Sequence, residues 1–392
     1  MRFQTLTATL LLLLLASCGA AKRCVVVSNS SSIDRMDEVV EVEIADADSY
    51  AVYTAQGKPI QAQTTYDGKL IFCASVAAKS STKYLLRKEL RVDLDTIATG
   101  AVFPQWYDDF AWENDKIGFR AYSDKILKMG GTPLYGYDIF TKRSRTPVLD
   151  VLYNTQFDKY YGPLIRSNRE SNPSFSKTLS NATTYHLDHG FGVDYYVVGP
   201  TLGSGTAALI DNGEILYPLY HSKSEILDRG GLRVTFRLTF APVKVGEDMV
   251  QEVRTITLDK GSHFNHIEVE YLNLTSPREV VVGIVLHDSG ECSRLGKGFI
   301  AYAEPKHYYG WQTYNAVIYP ESKSSEVALF AKPRGNALGH ILTKGEYSSD
   351  TKMQYYMGAG WNRWGFPTAE SWFGYVEQQQ QRYNEPLRCE VK

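Results

Sequence analysis

The amino-acid sequence predicts an all-β protein, a large antiparallel β-sandwich with few short helices and one C-terminal helix. Short stretches rich in β-branched and aromatic residues recur at regular spacing through the second half of the chain. Turn signals such as Asp211–Gly213 and Asp259–Gly261 separate these stretches. Helical patterns are few. Only Ala369–Arg382, which follows Pro367 and Thr368 and is rich in Glu and Gln, has the start signals and composition of a long helix.

In the first half of the chain, the sequence predicts a strand-rich segment over residues 24–95 and less regular structure after it. Glu38–Ile44 alternates strictly between polar and apolar residues, which is typical of a half-buried strand. Asp67 and Gly68 form a hairpin turn signal. Further strands are predicted at 24–27, 51–53, 69–74, 83–92 and 117–122, a short helix at 150–161 and a polar loop at 167–180. Residues 24–95 could form an N-terminal subdomain, but the absence of a linker or repeat favours one domain over 24–392.

The second half predicts a nearly continuous succession of strands. Their predicted ranges are 207–210, 215–220, 232–240, 250–258, 264–272, 280–286, 299–303, 316–319, 326–331 and 352–359.

The N-terminus has the features of a signal peptide, so we do not expect it to be part of the folded domain. Residues 1–17 have a basic start and an apolar core that is too short to span a membrane as a stable helix. The run Leu15-Ala16-Ser17-Cys18 resembles a bacterial lipobox, which implies cleavage before Cys18 and acylation of that residue. Residues 18–23 would be a short tether. Because no acidic run follows Cys18, the resemblance favours an outer-membrane lipoprotein that faces the periplasm.

Charge and cysteine content exclude some classes of function. The formal net charge is −2 and the basic residues are scattered, so no nucleic-acid partner is expected. Besides Cys18 the chain has four cysteines with no metal-binding spacing. Their disulfide pairing stays open, since the expected compartment is oxidising. These four residues are Cys24, Cys73, Cys292 and Cys389. Nothing in the sequence specifies an oligomeric state.

Two stretches, Phe110–Tyr122 and Tyr185–Tyr196, concentrate the residues that could carry chemistry. Together they contain Trp112, Glu113, Asp115, Arg120, Tyr185, His186, Asp188, His189, Asp194 and Tyr195. A packing surface would not need this composition, because buried charges are costly unless they are paired. The alternative is that the acids and the arginine of the first stretch form a structural ion-pair cluster.

Five segments, at 112–122, 185–209, 229–240, 259–271 and 355–376, resemble the lipoprotein family catalogued as domain of unknown function 4861. The resemblance covers most of the mature chain. It implies a galactose-mutarotase-like supersandwich, a fold also found in several polysaccharide lyases and hydrolase domains. It also implies a role in polysaccharide utilisation, often of plant or algal glycans that contain uronic acid. It supplies no catalytic residues, and fold alone does not fix function.

With that implied substrate, the sequence favours an enzyme that acts on acidic oligosaccharides by elimination. Arg120 would pair with the uronate carboxylate in a forked geometry. His186 or His189 would remove the proton next to the carboxylate, and a second group would protonate the leaving oxygen. The alternative catalytic plan is hydrolysis by a carboxylate pair, Glu113 and Asp194. A non-catalytic glycan-binding lipoprotein and a sugar mutarotase or isomerase are further alternatives.

Other residues are candidates for substrate binding. Trp361 and Trp364 lie in a stretch of small residues beside an arginine, which suits either a sugar-stacking platform or an aromatic plug over the end of the sandwich. Further candidates are Trp112, Asp115, Tyr195 and Arg233. His186, Asp188 and His189, with His287 and Asp288, could hold zinc or calcium, but their spacing is not a standard ligand motif. No cofactor is therefore expected.

Overall fold

The computed structural model describes residues 23–91, 95–130, 133–348 and 351–392. The predicted signal peptide and Cys18 lie outside these residues. All strand pairs within the described sheets are antiparallel, and strands far outnumber helices. The predicted all-β antiparallel sandwich is confirmed. No helix in the described part of the chain is long and apolar enough to cross a membrane.

The first twelve strands cover the chain up to the second predicted site stretch. They are β1 (Cys24–Asn29), β2 (Arg35–Val42), β3 (Tyr50–Thr54), β4 (Pro59–Ile60), β5 (Ala62–Thr64), β6 (Leu70–Val76), β7 (Ser80–Lys88), β8 (Thr99–Phe103), β9 (Asp109–Glu113), β10 (Gly118–Ala121), β11 (Asp138–Lys142) and β12 (Gly192–Val193).

The remaining strands build most of the main sandwich. They are β13 (Ser204–Asp211), β14 (Glu214–Leu216), β15 (His221–Asp228), β16 (Arg233–Phe240), β17 (Val243–Val245), β18 (Asp248–Asp259), β19 (Phe264–Leu272), β20 (Arg278–Leu286), β21 (Ser293–Gly296), β22 (Phe299–Ala303), β23 (Thr313–Ile318), β24 (Ser324–Arg334), β25 (Ala337–Tyr347), β26 (Met353–Trp361) and β27 (Arg388–Val391). The α-helices are α1 (Leu149–Gln156), α2 (Tyr161–Ser167), α3 (Pro173–Thr183) and α4 (Ala369–Asn384). Short 3-10 helices span Ala47–Ser49, Pro104–Trp106 and Asp124–Met129.

The N-terminal strands form a small sandwich with a core of its own. Its sheets have the orders β27-β1-β7-β3-β4 and β2-β6-β5. Val25, Val27, Leu70 and Phe72 are fully buried between them. The last strand, β27, pairs with the first, so the two ends of the described chain close the same sheet.

The other three sheets enclose the main core. Their orders are β15-β16-β18-β19-β26-β23-β22-β21, with β17 on β18, then β14-β13-β20-β25-β24, and β12-β11-β10-β9-β8. Fully buried aromatic and β-branched side chains from all three sheets pack together, among them Trp112, Phe236 and Ile284. Each such burial contributes about 1.5–3 kcal/mol relative to exposure. This core fixes the strand ends that carry the site.

The helices include one that the sequence predicts well and one that it misses. Helix α4 begins after Thr368, whose hydroxyl accepts a hydrogen bond from Ser371 N, and it buries Trp372 against the main sheet. The polar stretch at 167–180, predicted as a loop, contains most of α3. Asn172 caps α3 through a hydrogen bond from Phe175 N, and proline follows at the first helical position. The polar composition therefore reflects an exposed helix. Helices α1 to α3 form one excursion between β11 and β12.

Candidate functional site

A pocket of about 470 Å³ opens where the ends of several strands meet the segment after α3. Its lining comes from β10 and β11, from residues 186–200, from the end of β20 and from the turn between β24 and β25. The polar and aromatic side chains among the lining residues are Arg120, Tyr122, Asp138, His186, Asp194, Tyr195, Tyr196, His287, Arg334 and Asn336. Four of the predicted site residues, Arg120, His186, Asp194 and Tyr195, therefore line the same pocket.

Two glycines allow the segment at 192–203 to approach the sheet closely. Gly192 has a φ of 127°, and a Cβ there would lie 1.9 Å from the carbonyl oxygen of Thr141. Gly203 has a φ of 55°, and a Cβ would lie 2.4 Å from the carbonyl oxygen of Tyr137. Only glycine fits both the backbone conformation and the space. These contacts hold the pocket-lining residues between them, including Asp194, against β11.

Arg120 is the centre of a buried charge cluster and is not a free cation. Its guanidinium donates hydrogen bonds to Asp138 and, over 3.0 Å, to Asp194 Oδ2. Asp109 Oδ2 lies 3.7 Å from its Nε, and the Tyr185 hydroxyl accepts a weaker bond from Nη1 at 3.4 Å. Antiparallel pairing of β10 with β11 places Arg120 directly opposite Asp138. The arginine therefore already has the carboxylate partners that a uronate would otherwise provide.

Three carboxyl groups surround this one guanidinium, so the cluster has an excess of acid. Burial raises the pKa of Asp194 to about 6, although the charge of Arg120 acts in the opposite direction. Burial also raises the pKa of Asp109 well above its ordinary value, and neither of its oxygens has a hydrogen-bond partner among the described residues. Burial thus favours the protonated forms of Asp194 and Asp109 relative to the same groups in water.

His186 lies at the rim of the pocket. Its Nδ1 lies 2.8 Å from the backbone oxygen of Asp194 and 3.9 Å from that residue's Oδ2. The side chain is 57% exposed. Residues 185–186 form a turn. With Nδ1 donating to the backbone, Nε2 is the nitrogen available to a ligand.

A second histidine, His287, forms a dyad with Glu304 at the same pocket. The His287 Nδ1 lies 2.7 Å from Glu304 Oε2, and Glu304 is buried. Asn315 donates a 3.3 Å hydrogen bond to the other carboxylate oxygen, which fixes its orientation. Burial lowers the pKa of His287, but the charge and hydrogen bond of Glu304 outweigh it, so the net direction is upward. Nε2 of His287 is buried and makes no hydrogen bond of good geometry among the described residues, although the Val197 backbone lies near enough to contribute to the raised pKa of His287.

Arg334 supplies a cation without a carboxylate partner. It is exposed at the end of β24, and no ion pair involves it within the described residues. Its guanidinium lies 4.5 Å from the centre of the Phe330 ring and 5.1 Å from that of Tyr217. Stacking on two rings holds the long side chain in place while leaving its donors free. This residue can bind an anion that enters the pocket.

Other predicted site residues have structural partners elsewhere. Glu113 Oε2 accepts a 2.5 Å hydrogen bond from Lys142, both side chains being fully buried, and Oε1 accepts from Val148 N and Leu149 N at the start of α1. Asp115 accepts a 2.6 Å hydrogen bond from Gly261 N. Neither acid lines the pocket, so Glu113 and Asp194 do not face each other across one cleft. The alternative of a structural ion pair thus applies to Glu113.

Three further predicted site residues do not line the pocket either: Arg233, and Asp188 and His189 in the segment that follows α3. Arg233 pairs with Asp259 and Glu41 between the main sheet and the N-terminal sandwich. His189 is exposed, and its Nε2 lies 2.9 Å from the backbone oxygen of Thr184. Asp188 accepts hydrogen bonds from Gly190 N and Gly192 N. His186, Asp188 and His189 thus have separate partners. Among the described residues no group of three or more His, Cys, Asp or Glu side chains could hold a metal ion.

Two of the three predicted tryptophans, Trp112 and Trp361, lie deeper than a substrate could reach. Trp112 is fully buried in the main core, where its Nε1 donates a 2.7 Å hydrogen bond to Asn265. Trp361 is 1% exposed and packs with Trp311, Tyr195 and the half-buried Trp364. Of the two predicted alternatives, Trp361 fits the aromatic plug. Trp112 and Trp361 have no free ring face for a sugar.

Three pocket residues that the sequence does not point to lie outside the two stretches. The sequence indicates His287 only as a possible extra metal ligand and gives no indication of Glu304 or Arg334. Glu304 and His287 are 17 residues apart, at the ends of different strands, so no local motif joins them. One signal was present: acids and histidines at strand ends, immediately after long apolar runs such as Val280–Leu286. The four described cysteines outside the signal region form no disulfides.

Comparisons with known proteins agree with the fold. The chain is 25% identical over 413 residues to uncharacterized protein P7 of Formosa agariphila, covering 97% of this chain and 96% of the relative. A solved protein in the glycosyl hydrolase family 38 from Enterococcus faecalis matches with a TM-score of 0.52 and 10% identity, over 95% of this chain and 47% of that one. An alpha-mannosidase from Enterococcus faecalis V583 matches with a TM-score of 0.46 and 10% identity, over 94% and 46%.

The first of these solved structures shows a shared fold and nothing more specific. This chain spans about half the length of each of the two. The family comparison covers nearly the whole chain, because residues 27–389 match one family description. The chain belongs to the family described as Domain of unknown function (DUF4861).

Proposed function

We propose that this chain is a carbohydrate-active enzyme that cleaves oligosaccharides containing uronic acid by β-elimination. The observation that carries the proposal is the His287–Glu304 dyad, whose unpartnered Nε2 belongs to a histidine lining a pocket that also contains a cation. A buried carboxylate that accepts the Nδ1 proton leaves Nε2 as the basic nitrogen. The same carboxylate raises the pKa of His287, which makes it a stronger base.

Elimination needs a base, a partner for the carboxylate and an acid. His287 Nε2 takes the proton from the carbon next to the uronate carboxylate. The C–H electron pair becomes a carbon–carbon double bond, and the glycosidic C–O bond on the adjacent carbon breaks. Arg334 pairs with the carboxylate and makes the departing proton more acidic. His186 at the rim, protonated on both ring nitrogens, donates the Nε2 proton to the leaving oxygen and becomes neutral, while Nδ1 keeps its proton.

The arrangement favours elimination over hydrolysis by the predicted carboxylate pair. A glycosidase places two carboxyl groups on opposite sides of the scissile bond. Glu113 is instead held by Lys142 and the start of α1, outside the pocket. Asp194 and Asp138 bind the same nitrogen of Arg120, so they flank no open space.

The proposal is tested by incubating the purified chain with a panel of uronic-acid oligosaccharides and matched neutral ones. Elimination produces an unsaturated product that absorbs in the ultraviolet, and the product masses sum to that of the substrate. Hydrolysis adds the mass of one water and gives no absorbance. Turnover of the acidic panel with absorbance is the expected result, whereas water addition or no reaction with any of these glycans would contradict the proposal.

We expect Arg334→Ala to lower kcat/KM on the acidic substrate by about tenfold to a hundredfold, as for a lost hydrogen bond to a charged group. The effect should appear in both KM and kcat, because Arg334 pairs with the carboxylate of the bound substrate and also stabilises the charge that develops on it as the proton leaves. Arg237→Ala is the control, since the Arg237 side chain is partly exposed, pairs with Glu225 among the described residues and does not line the pocket. Equal kinetics for the two variants would exclude Arg334 as the carboxylate partner.

We further propose that the mature chain is an outer-membrane lipoprotein anchored through acylated Cys18. The support is the sequence Leu15-Ala16-Ser17-Cys18 after a short apolar run. A Cys18→Ser variant is expected to remain in the soluble fraction without a lipid mass increment, because the acylated thiol and amine are lost. Fractionation with mass spectrometry of the N-terminal peptide checks this. Retention of both the lipid mass and membrane association in the variant would rule it out.

A further inference from the structure

Next to the pocket, the loop between β22 and β23 presents a group of aromatic rings to solvent. We name residues His307–Trp311 the aromatic loop. Tyr308 is 79% exposed and Tyr309 is 50% exposed. Their ring centres lie 4.1 Å apart, and His307 stacks on Trp311 with centres 5.2 Å apart and an interplanar angle of 9°. Contiguous exposed rings of this kind usually mark a binding surface.

Hydrogen bonds hold the aromatic loop in a fixed conformation. His307 N donates to the backbone oxygen of Trp311 over 2.8 Å, and Gly310 N donates to the oxygen of His307 over 2.7 Å. Asn362 Nδ2 donates to the oxygen of Gly310 over 2.9 Å, while its Oδ1 accepts from Gln312 N. Gly310 has a φ of 75°, which suits the tight turn. A loop ordered in advance loses little entropy on binding a ligand.

Tyr195 connects the aromatic loop to the pocket. Tyr195 lines the pocket, and its ring centre lies 5.3 Å from that of Trp311 and 5.4 Å from that of His307. Thr313 donates a 2.7 Å hydrogen bond to the Tyr195 hydroxyl. Glu304 of the dyad lies at the start of the same connection, and Gln312 Nε2 donates to its backbone oxygen over 2.8 Å. The segment between β22 and β23 thus positions both Glu304 of the dyad and the exposed rings.

We propose that the aromatic loop is a further sugar subsite, which binds a ring of the same oligosaccharide beyond the one held in the pocket. This inference rests on the proposed function. A pyranose ring has an apolar C–H face that packs on flat aromatic rings, and the tyrosine hydroxyls can bond to its edge. The pocket, at about 470 Å³, has the size of a site for one small ligand, so a longer chain must continue over its rim. The loop gives that continuation an aromatic surface.

The test compares binding by wild type and by Tyr308→Ala and Tyr309→Ala variants, using calorimetry with uronic-acid oligosaccharides of increasing length. The control is Tyr160→Ala, because Tyr160 is 68% exposed on the helical excursion and does not line the pocket. Losing the ring surface should raise Kd for the longer oligosaccharides by about tenfold. Kd for the shortest oligosaccharide that binds should stay unchanged, as should every Kd of the control.

The outcomes separate this subsite from the proposed reaction. If wild type binds the longer glycans without turnover and the two variants bind them less tightly, the subsite stands while elimination fails. If turnover occurs but both variants bind every length like wild type, the subsite is wrong and elimination stands. Failure of wild type to bind any oligosaccharide of the panel overturns the subsite. The subsite is also overturned if the two variants lose the same amount of affinity for short and for long oligosaccharides.

Discussion

Replacing Arg120 by alanine is expected to lower the free energy of unfolding by about 3–5 kcal/mol, as when one partner of a buried ion pair is removed. Arg120 is 5% exposed and is the cation that Asp138 and Asp194 share. Without it, two carboxylates keep their burial but lose their counter-charge, and Asp109 loses its nearest cation. The loss therefore comes from groups left behind and not from the arginine's own contacts.

Denaturant unfolding of wild type, Arg120→Ala and the surface control Arg237→Ala at two pH values measures this effect. A carboxyl whose pKa is raised in the folded state binds protons more readily there than in the unfolded chain, so folded stability falls as pH rises. Arg120 lowers the pKa values of Asp194 and Asp109, so both values rise further when it is removed. We therefore expect a smaller loss at pH 5 than at pH 8, the two sides of the wild-type Asp194 pKa of about 6. A variant as stable as the control at both pH values would show that the cluster is not held by this charge.

Much of the fold follows from local pattern. Phe264–Leu272 and Phe299–Ala303 have the strand bounds that apolar alternation and turn signals predict. Helix α4 begins at the predicted residue because Thr368 provides a cap that can be identified from sequence. The excursion at α3 was missed because its exposed polar face has the composition of a loop, and only Asn172 and Pro173 mark its start.

The candidate site was predictable only where its residues are neighbours in sequence. His186, Asp194 and Tyr195 all lie in the stretch Tyr185–Tyr196. Arg120 is the arginine of the other stretch, Phe110–Tyr122. Which charge pairs with which depends on strand pairing, and the sequence could not show that Asp138 faces Arg120 across two strands. The same limitation hid the dyad, since His287 follows β20 and Glu304 follows β22, and these two strands belong to different sheets. The sequence also could not show that Trp112 and Trp361 are buried, because residue type does not distinguish an aromatic side chain in a binding site from one in the core.

His287→Gln is expected to lower kcat/KM on the acidic substrate by about 10²–10⁴-fold, the usual contribution of a general base. Glutamine can keep a hydrogen bond to Glu304 but cannot take up a proton, so folding should be largely retained. His189→Gln is the matched control, because His189 lies outside the pocket lining and hydrogen-bonds only to the Thr184 backbone. Thermal melting of both variants checks folding. Full activity in His287→Gln, or an equal loss in His189→Gln, would refute the assignment of the base.

The pH profile distinguishes a base that Glu304 activates from a histidine that merely packs beside it. His287 must be neutral to accept a proton, so kcat/KM falls on the acidic side as the imidazole becomes protonated. Glu304 raises the pKa of His287, while burial lowers it. In a Glu304→Gln variant the largest influence that raises the pKa of His287 is lost, while burial still lowers it and the Val197 backbone and Asp288 raise it less. We therefore expect the acidic limb to move to lower pH while the maximal rate falls. An unmoved limb would mean that another group titrates, and Asp194, with a pKa of about 6, would then be the group to replace by asparagine.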